Sequence, residues 1–397
     1  MNYYIGIDNS SLDHKVQVID ESGNKKSAFT IPNNLKGFEL LHQRLKEFKK
    51  DSEVRIGFEL PHGPLVDYLH HMEYTLYSLN PLQVKRYKES IRVSGDKTDA
   101  IDATAIADYL RHNSSHSREL LYNSSEIEKL KHLSLIHQRL VKDRSSHINK
   151  LHFAVRQYFP LHEELFSLFG RTVQLKMIKK YPTFKDLKAV SEEELTEFLK
   201  SCNYRHHALI GKMLGKIRNH EQLIAPEVEY AYQFEALAIC EILQSLEEKL
   251  CEIKKEMNRI TDSHKLGGIF RSLPGAGPVI ACELLALFGD HKDRFGNSNN
   301  AQCYFGTAPK NYQSGSYHRV SMRKACNKGG RSLLYDHAFA SLRFSIWARD
   351  YYDGQRAKGK THSVAIRALS NKWVRIIFKL WKEEIFYDES KKISSAA

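Results

Sequence analysis

Four strand-like stretches crowd the first 58 residues, and two of them stop on a carboxylate. The apolar run Tyr3, Tyr4, Ile5, Ile7 reads as a buried strand whose carboxyl end is Asp8. His14 to Ile19 and Ser27 to Ile31 alternate with period two around the turn signal Glu21-Ser22-Gly23-Asn24, which makes a meander of three strands. Glu53 to Phe58 is a second candidate core strand, closed by Glu59. If the first and last of these are neighbours, Asp8 and Glu59 meet at one sheet edge. Beyond Gly95-Asp96-Lys97-Thr98, with Thr98 as cap, a helix is expected through Ala100, Ile101, Ala105, Ile106 and Leu110. Asp99 and Asp102, three residues apart, share a face of it.

Each acid alone reads as a turn cap, a surface ion pair or the acidic first turn of a helix. Together Asp8, Glu59, Asp99 and Asp102 point to a metal centre. Carboxylate oxygens are hard ligands suited to Mg²⁺, and two such ions about 3.5–4 Å apart activate an attacking oxygen and stabilise a leaving one.

The charge distribution names a polyanionic partner. Lys310 to Lys382 holds 16 Lys/Arg against three acids, a local balance of +13 that equals the formal charge of the whole 397-residue chain. Neutralising phosphates releases condensed counterions, so such a segment favours nucleic acid. Tyr304, Phe305, Tyr312, Tyr317, Trp347, Tyr351, Tyr352 and Trp373 are interleaved with it. Trp373 and Phe378 fit a helical core, whereas Tyr312 and Tyr317, in a stretch read as a polar loop, suit contact with a base or sugar. No apolar run approaches 18 residues and the N-terminus enters a strand directly, so neither a membrane span nor a signal peptide is expected, and the location is read as cytoplasmic. The six cysteines form no C-x-x-C pair, which argues against zinc and for reduced thiols.

The middle of the chain is helical. From Ser125 to Tyr158, Leu130, Leu133, Leu140, Ile148, Leu151 and Val155 recur at helical spacing among basic residues. Ile239, Ile242, Leu246, Leu250, Ile253, Met257 and Ile260 step by three and four in a coiled-coil pattern, which serves an intrachain hairpin or a dimer equally. Between them, smaller helices break at Pro160, Pro182 and Pro226. Then Leu273-Pro274-Gly275-Ala276-Gly277-Pro278 leads into an apolar helix, like a helix-hairpin-helix element in which Gly275 and Gly277 let backbone N–H groups approach a phosphate. A plain turn between packed helices is the alternative.

Phe305-Gly306-Thr307-Ala308-Pro309 runs on to Ser314, beside Gly315 and followed by Arg319, Arg323, Lys324 and Lys328 as phosphate clamps. A serine next to glycine is also ordinary turn chemistry. His318 is near in sequence, but no Ser-His-Asp ordering supplies a dedicated base.

These motifs, GID at Asp8, FELPHG at Glu59, KTDAIDA at Asp99 and Asp102, then LPGxGP and G-x-x-P…S-G, resemble the DEDD insertion-sequence transposases of the IS-one-ten and IS-eleven-eleven families over nearly the whole chain. The resemblance implies an α/β plus α protein. It comprises a RuvC-like, ribonuclease H-type catalytic domain over 1–122, a helical and coiled-coil region over 123–264, and a mostly helical, serine-bearing transposase domain over 265–387. A tail covers 388–397. It also implies a serine attacking DNA phosphate, a role carried to Ser314 with Ser316 as rival, since Gln313-Ser314-Gly315-Ser316 stands where many relatives have Ser-Ser-Gly-Gly. A composite site with the carboxylates, homo-oligomers, strand exchange through a junction and a structured guide RNA are further implications. Two other readings compete: a junction endonuclease using the carboxylates alone, and an actin-like ATPase or sugar kinase suggested by GIDNSSLDHK, for which a second Asp-Gly phosphate loop is missing.

Overall fold

The computed structural model describes residues 2–50, 52–59, 63–91, 99–166, 169–204 and 209–390, with backbone only for 99 and 100. The expected Thr98 cap, the Asp99 side chain and residues 391–397 of the tail lie outside the described side chains. The chain divides into two compact units, Met1–Tyr122 and Asn123–Ala397.

The first unit is built on a six-stranded sheet. β1 (Asn2–Asn9), β2 (Asp13–Asp20) and β3 (Lys25–Pro32) form an antiparallel meander, and β1 also pairs in parallel with β4 (Glu53–Phe58). β5 (Thr75–Ser78) continues in parallel, and β6 (Arg118–Glu119) closes the order β3-β2-β1-β4-β5-β6. The alternation of β1 separates two faces. Ile5 and Ile7 belong to a core with α1 (Leu35–Lys49) and α2 (Pro64–His71), through Phe38, Leu41, Leu65 and Leu69. Tyr4 lies on the other face with α3 (Pro81–Ile91) and α4 (Asp99–Asn113), through Val84, Ile106 and Leu110.

α4 lies against the sheet because two glycines leave room for it. A Cβ on Gly6 would come within 2.1 Å of the Ala103 carbonyl oxygen and 2.5 Å of the Ala107 nitrogen. Gly57, the parallel partner of Gly6 across the β1–β4 ladder, would meet Leu79 at 2.9 Å and Ile106 at 3.3 Å. α4 runs opposite to β1: Thr104 donates to Gln17 at 3.3 Å midway, and Arg111 reaches the Glu21 carbonyl at 3.4 Å near the start of β1. Its first turn therefore lies toward the carboxyl end of β1.

Among its described residues, the second unit is helical apart from one hairpin and the connecting turns. α5 (Ser125–Tyr158) starts at Ser124, whose hydroxyl accepts from the Ile127 N–H. Five short helices follow: α6 (Leu161–Leu165), α7 (Thr172–Lys180), α8 (Phe184–Lys188), α9 (Glu192–Ser201) and α10 (Ile210–Asn219). α11 (Pro226–Ser263) begins on its proline, a residue whose missing N–H costs nothing at that position. α5 and α11 pack antiparallel within the chain, with Lys129 on Glu256 at 2.6 Å at one end and the Phe153 and Tyr232 rings 6.2 Å apart toward the other. The hairpin, of the two arrangements open to the apolar stripe, is the one observed.

Beyond it come α12 (Gly267–Arg271), α13 (Pro278–Phe288), α14 (Ser298–Tyr304), the strands β7 (Lys310–Ser314) and β8 (Tyr317–Ser321), then α15 (Lys328–Ser341), α16 (Ile346–Ala357) and α17 (His362–Glu383). One core gathers the short helices against the distal parts of α5 and α11; a second is centred on Phe270, Phe288, Trp373 and Trp381. Trp373 is fully buried, with its indole N–H donating to the Ser341 hydroxyl at 2.9 Å. Among the described residues, no helix is long and apolar enough to cross a membrane.

Candidate functional site

In the first unit, Ile7 and Phe58 are register partners on neighbouring parallel strands, so Asp8 and Glu59, the residues that follow them, stand side by side at the carboxyl edge. Both are partly exposed. Asp8 shares the α4 face of β1 with Tyr4 and Gly6 by alternation. Asp102 lies one residue before Ala103, the residue seated on Gly6. Three of the four acids are thus brought to the same end and face of the sheet. The backbone of Asp99 opens the same helix.

Asp102 already has a cation. The Lys88 ammonium of α3 forms a salt bridge with its carboxylate, both side chains being about three-quarters buried. Nearby, Tyr87 donates to Asp108 at 2.7 Å, and Arg111 grips the same carboxylate at 2.8 Å, so α3 is tied along α4. His14, beside Asp8 at the edge, is buried; desolvation pushes its imidazole pKa down, against the pull of the Asp13 and Asp8 carboxylates. Among the described residues, no three of His, Cys, Asp and Glu are grouped closely enough to hold a metal ion as they stand. The donors are carboxylates, hard oxygen ligands that suit a divalent cation, at one edge; their spacing and the Lys88–Asp102 pair both stand against a cation in this arrangement.

In the second unit, Ser314 is not in a loop. It is the last residue of β7, opposite Tyr317, and Gly315-Ser316 is a two-residue turn with Gly315 at φ +54°. A glycine first in a two-residue connection suits a hairpin. The sequence hides this ribbon because nearly every residue of it is exposed, so the apolar alternation that marks a half-buried strand is absent. Tyr312 and Tyr317, expected in a loop, are strand residues as well. Register places Tyr312, Ser314, Tyr317 and Arg319 on one face, and Gln313 and His318 on the other. His318 is therefore turned away from the Ser314 hydroxyl. On the serine face, the Lys310 ammonium sits 4.5 Å from the Tyr312 ring centre; hydrogen bonding and charge from Lys310, with Arg319 adding to it, hold the phenol below its ordinary pKa.

Arg319 and Lys324 are exposed, Lys328 opens α15, and Arg323 is half-buried with its carbonyl held by Arg331 at 3.0 Å. Gly275 has φ +77°, and a Cβ there would come within 2.6 Å of the Ala340 backbone, so it serves the packing of the turn onto α15. Gly277 faces open space at the start of α13.

Sequence reasoning missed Lys88 and the glycine pair. The glycines did carry a signal: Ile5-Gly6-Ile7-Asp8 and Ile56-Gly57-Phe58-Glu59 spell the same pattern, a glycine two residues before the acid on both strands.

Comparison with known proteins adds independent findings. Residues 5–160 match a family model for DEDD transposases of the IS110 type, and residues 267–353 match the model described as "Transposase IS116/IS110/IS902 family". A candidate transposase of the IS117 mini-circle from Streptomyces coelicolor is 25% identical over 98% of this chain and 96% of its own length. An uncharacterized 42 kDa protein of insertion element IS900 from Mycobacterium paratuberculosis is 23% identical over 99% of each. An uncharacterized 43.6 kDa protein of insertion element IS110, also from Streptomyces coelicolor, is 25% identical over 74% of this chain and 72% of its own.

Proposed function

Since the chain belongs to the IS110/IS116 family of transposases, enzymes that act on DNA, we propose that it moves its own insertion sequence by cutting and exchanging strands through a serine–DNA intermediate. What supports this reading is the register that sets Asp8 beside Glu59 at the carboxyl ends of β1 and β4, with α4, the helix of Asp102, lying across the same face. The strand order, an antiparallel meander joined through β1 to parallel β4 and β5 with a helix across one face, supports a RuvC-like, ribonuclease H-type domain.

Asp8, Glu59, Asp99 and Asp102 would hold two Mg²⁺ ions, which when bound lower the pKa of a hydroxyl nucleophile and stabilise charge on a leaving oxygen. Ser314 supplies that hydroxyl. Its Oγ attacks a DNA phosphorus, the bond to one bridging oxygen breaks, and the proton lost by serine ends on the released strand's hydroxyl. The phosphodiester becomes a phosphoserine ester of similar energy, so a hydroxyl of another strand reverses the step and frees the serine. Tyr312 and Arg319, on the face of Ser314, and Lys324 and Lys328 beyond it hold the backbone in register.

Gly277, whose own N–H is held by the Gly275 carbonyl at 3.0 Å, leaves clearance for a phosphate to approach the start of α13. The paired α5 and α11, read as a coiled coil, leave Arg139, Lys142 and Lys150 without an ion pair among the described residues; they suit the backbone of the structured guide RNA that the family resemblance implies. Homo-oligomers sharing the composite site across protomers complete the reading.

The test is a suicide DNA substrate with Mg²⁺. Wild-type protein is expected to yield a covalent adduct and joined products, Ser314→Ala neither, and Asp8→Ala, Glu59→Ala or Asp102→Ala no reaction with DNA binding retained. The missing base at Ser314 favours one second reading, a junction endonuclease that uses the carboxylates alone. Cleaved but never joined products, unchanged in Ser314→Ala, would select it.

A further inference from the structure

A cavity of about 400 Å³ opens at the foot of the β7–β8 ribbon, between the 306–309 turn, α15 and α17. That size is within the range of small-molecule sites and is well beyond one phosphate. Arg331, Lys360 and Arg367 line it, no carboxylate does, and none of the three cations has an acidic partner among the described residues. Val320, Met322, Tyr335 and Ala368 give it apolar walls with one aromatic face.

A second observation lies in the wall. Ser370 is 2% exposed, and its buried hydroxyl has no hydrogen-bond partner, although most buried polar atoms in folded proteins have one. Beside it, Asn371 accepts from Thr307 at 3.4 Å through Oδ1, which leaves its two N–H donors available. The site thus combines apolar walls with one aromatic face, an amide to meet polar ring edges, and guanidinium groups for an anion, with the unpaired Ser370 hydroxyl lying just behind the wall.

We propose that this cavity receives one unstacked nucleotide of the bound nucleic acid, its base inward against Tyr335 and toward Ser370 and Asn371, its phosphate outward on Arg331, Arg367 and Lys360. The inference rests on the nucleic-acid reading above and adds a subsite to it. Removing a nucleotide from its stack costs free energy, which the walls return through stacking and the polar groups through hydrogen bonds. The ribbon carrying Ser314 contributes Val320 and Ser321 to the wall, with Met322 just after it, so a captured nucleotide would also fix the ribbon.

Fluorescence anisotropy of the full chain, without divalent cation, tests this with a single-stranded deoxyoligonucleotide, the same length with abasic residues, and the ribo counterpart. The intact strand is expected to bind about five-fold or more tightly than the abasic one. Ala368→Phe, which fills the cavity, should remove that difference, as should Asn371→Ala if the bulkier variant fails to fold. Arg367→Gln should weaken intact and abasic strands alike and reduce the slope of log affinity against log salt by about one. A larger base dependence for the deoxy or the ribo strand identifies the source of the nucleotide. Equal binding of intact and abasic strands, or a base dependence that survives both cavity variants, overturns the proposal while leaving the recombinase reading intact. Failure of every probe to bind overturns both.

Discussion

Lys88 shows how much one side chain can decide at this edge. Its ammonium neutralises Asp102 without any metal, so a divalent cation arriving among the carboxylates must compete with it. The pair is partly solvated, and the competition is correspondingly modest. Lys88→Gln is therefore expected to lower the Mg²⁺ concentration for half-maximal thermal stabilisation by about ten-fold at most; an unchanged concentration would mean that Lys88 does not compete. In the sequence this lysine resembles any solvated lysine of a polar helix, whereas Asp8 and Glu59 were legible because each ends an apolar run.

His162 is a second residue with a measurable consequence. It is fully buried among Phe159, Phe166 and Phe169, has no hydrogen-bond partner, and desolvation pushes its pKa from 6.5 to about 4. The unfolded chain binds this proton below the ordinary value while the native state refuses it until about pH 4, so stability falls as the pH drops through that window. His162→Leu should spare about 2 kcal/mol of the loss between about pH 7.5 and about pH 5 in urea denaturation. A loss as large as wild type's would show that His162 does not titrate with unfolding. His14 and His337, also buried with lowered pKa values, keep the dependence from vanishing.

At the scale of elements, periodicity decided what could be read. β1 to β4 alternate or run apolar between clear turns, and α5 and α11 repeat at helical spacing with a serine cap and a proline start. β5, four residues long, is not legible in the sequence, and the β7–β8 ribbon reads there as a loop because neither of its faces is buried. Helix α4 is the element on which the edge depends. Gly6→Ala would drive a methyl into its backbone, which cannot rotate aside, so a loss of about 1–3 kcal/mol or more in stability is expected together with loss of recombination. Gly57→Ala meets the ends of leucine and isoleucine side chains and should cost less in a thermal melt. Equal tolerance at both positions would argue that α4 shifts freely.

At the scale of the molecule, charge and acid edge lie in different units. The carboxylates are in Met1–Tyr122, while the segment that equals the net charge lies in Asn123–Ala397. Binding and chemistry should then separate under mutation. Arg319→Gln combined with Lys324→Gln is expected to make the salt dependence of DNA affinity shallower by about two in slope, while Asp8→Ala leaves that slope unchanged. An altered slope in Asp8→Ala would place phosphates at the acidic edge in the metal-free state. The charge segment was plain from composition. The cavity was not, because Arg331, Arg367 and Ser370 come from two helices that only the packing around Trp373 brings together.

The paired glycines under α4 carry a lesson for anyone reading activity screens of this enzyme. Scored by transposition in cells, position 6 will be as intolerant as the acids, and an unwary reader would count it among the groups that touch the substrate. Its contribution is clearance alone: a missing methyl sets the height of a helix, and a reagent that labels catalytic groups would pass it by.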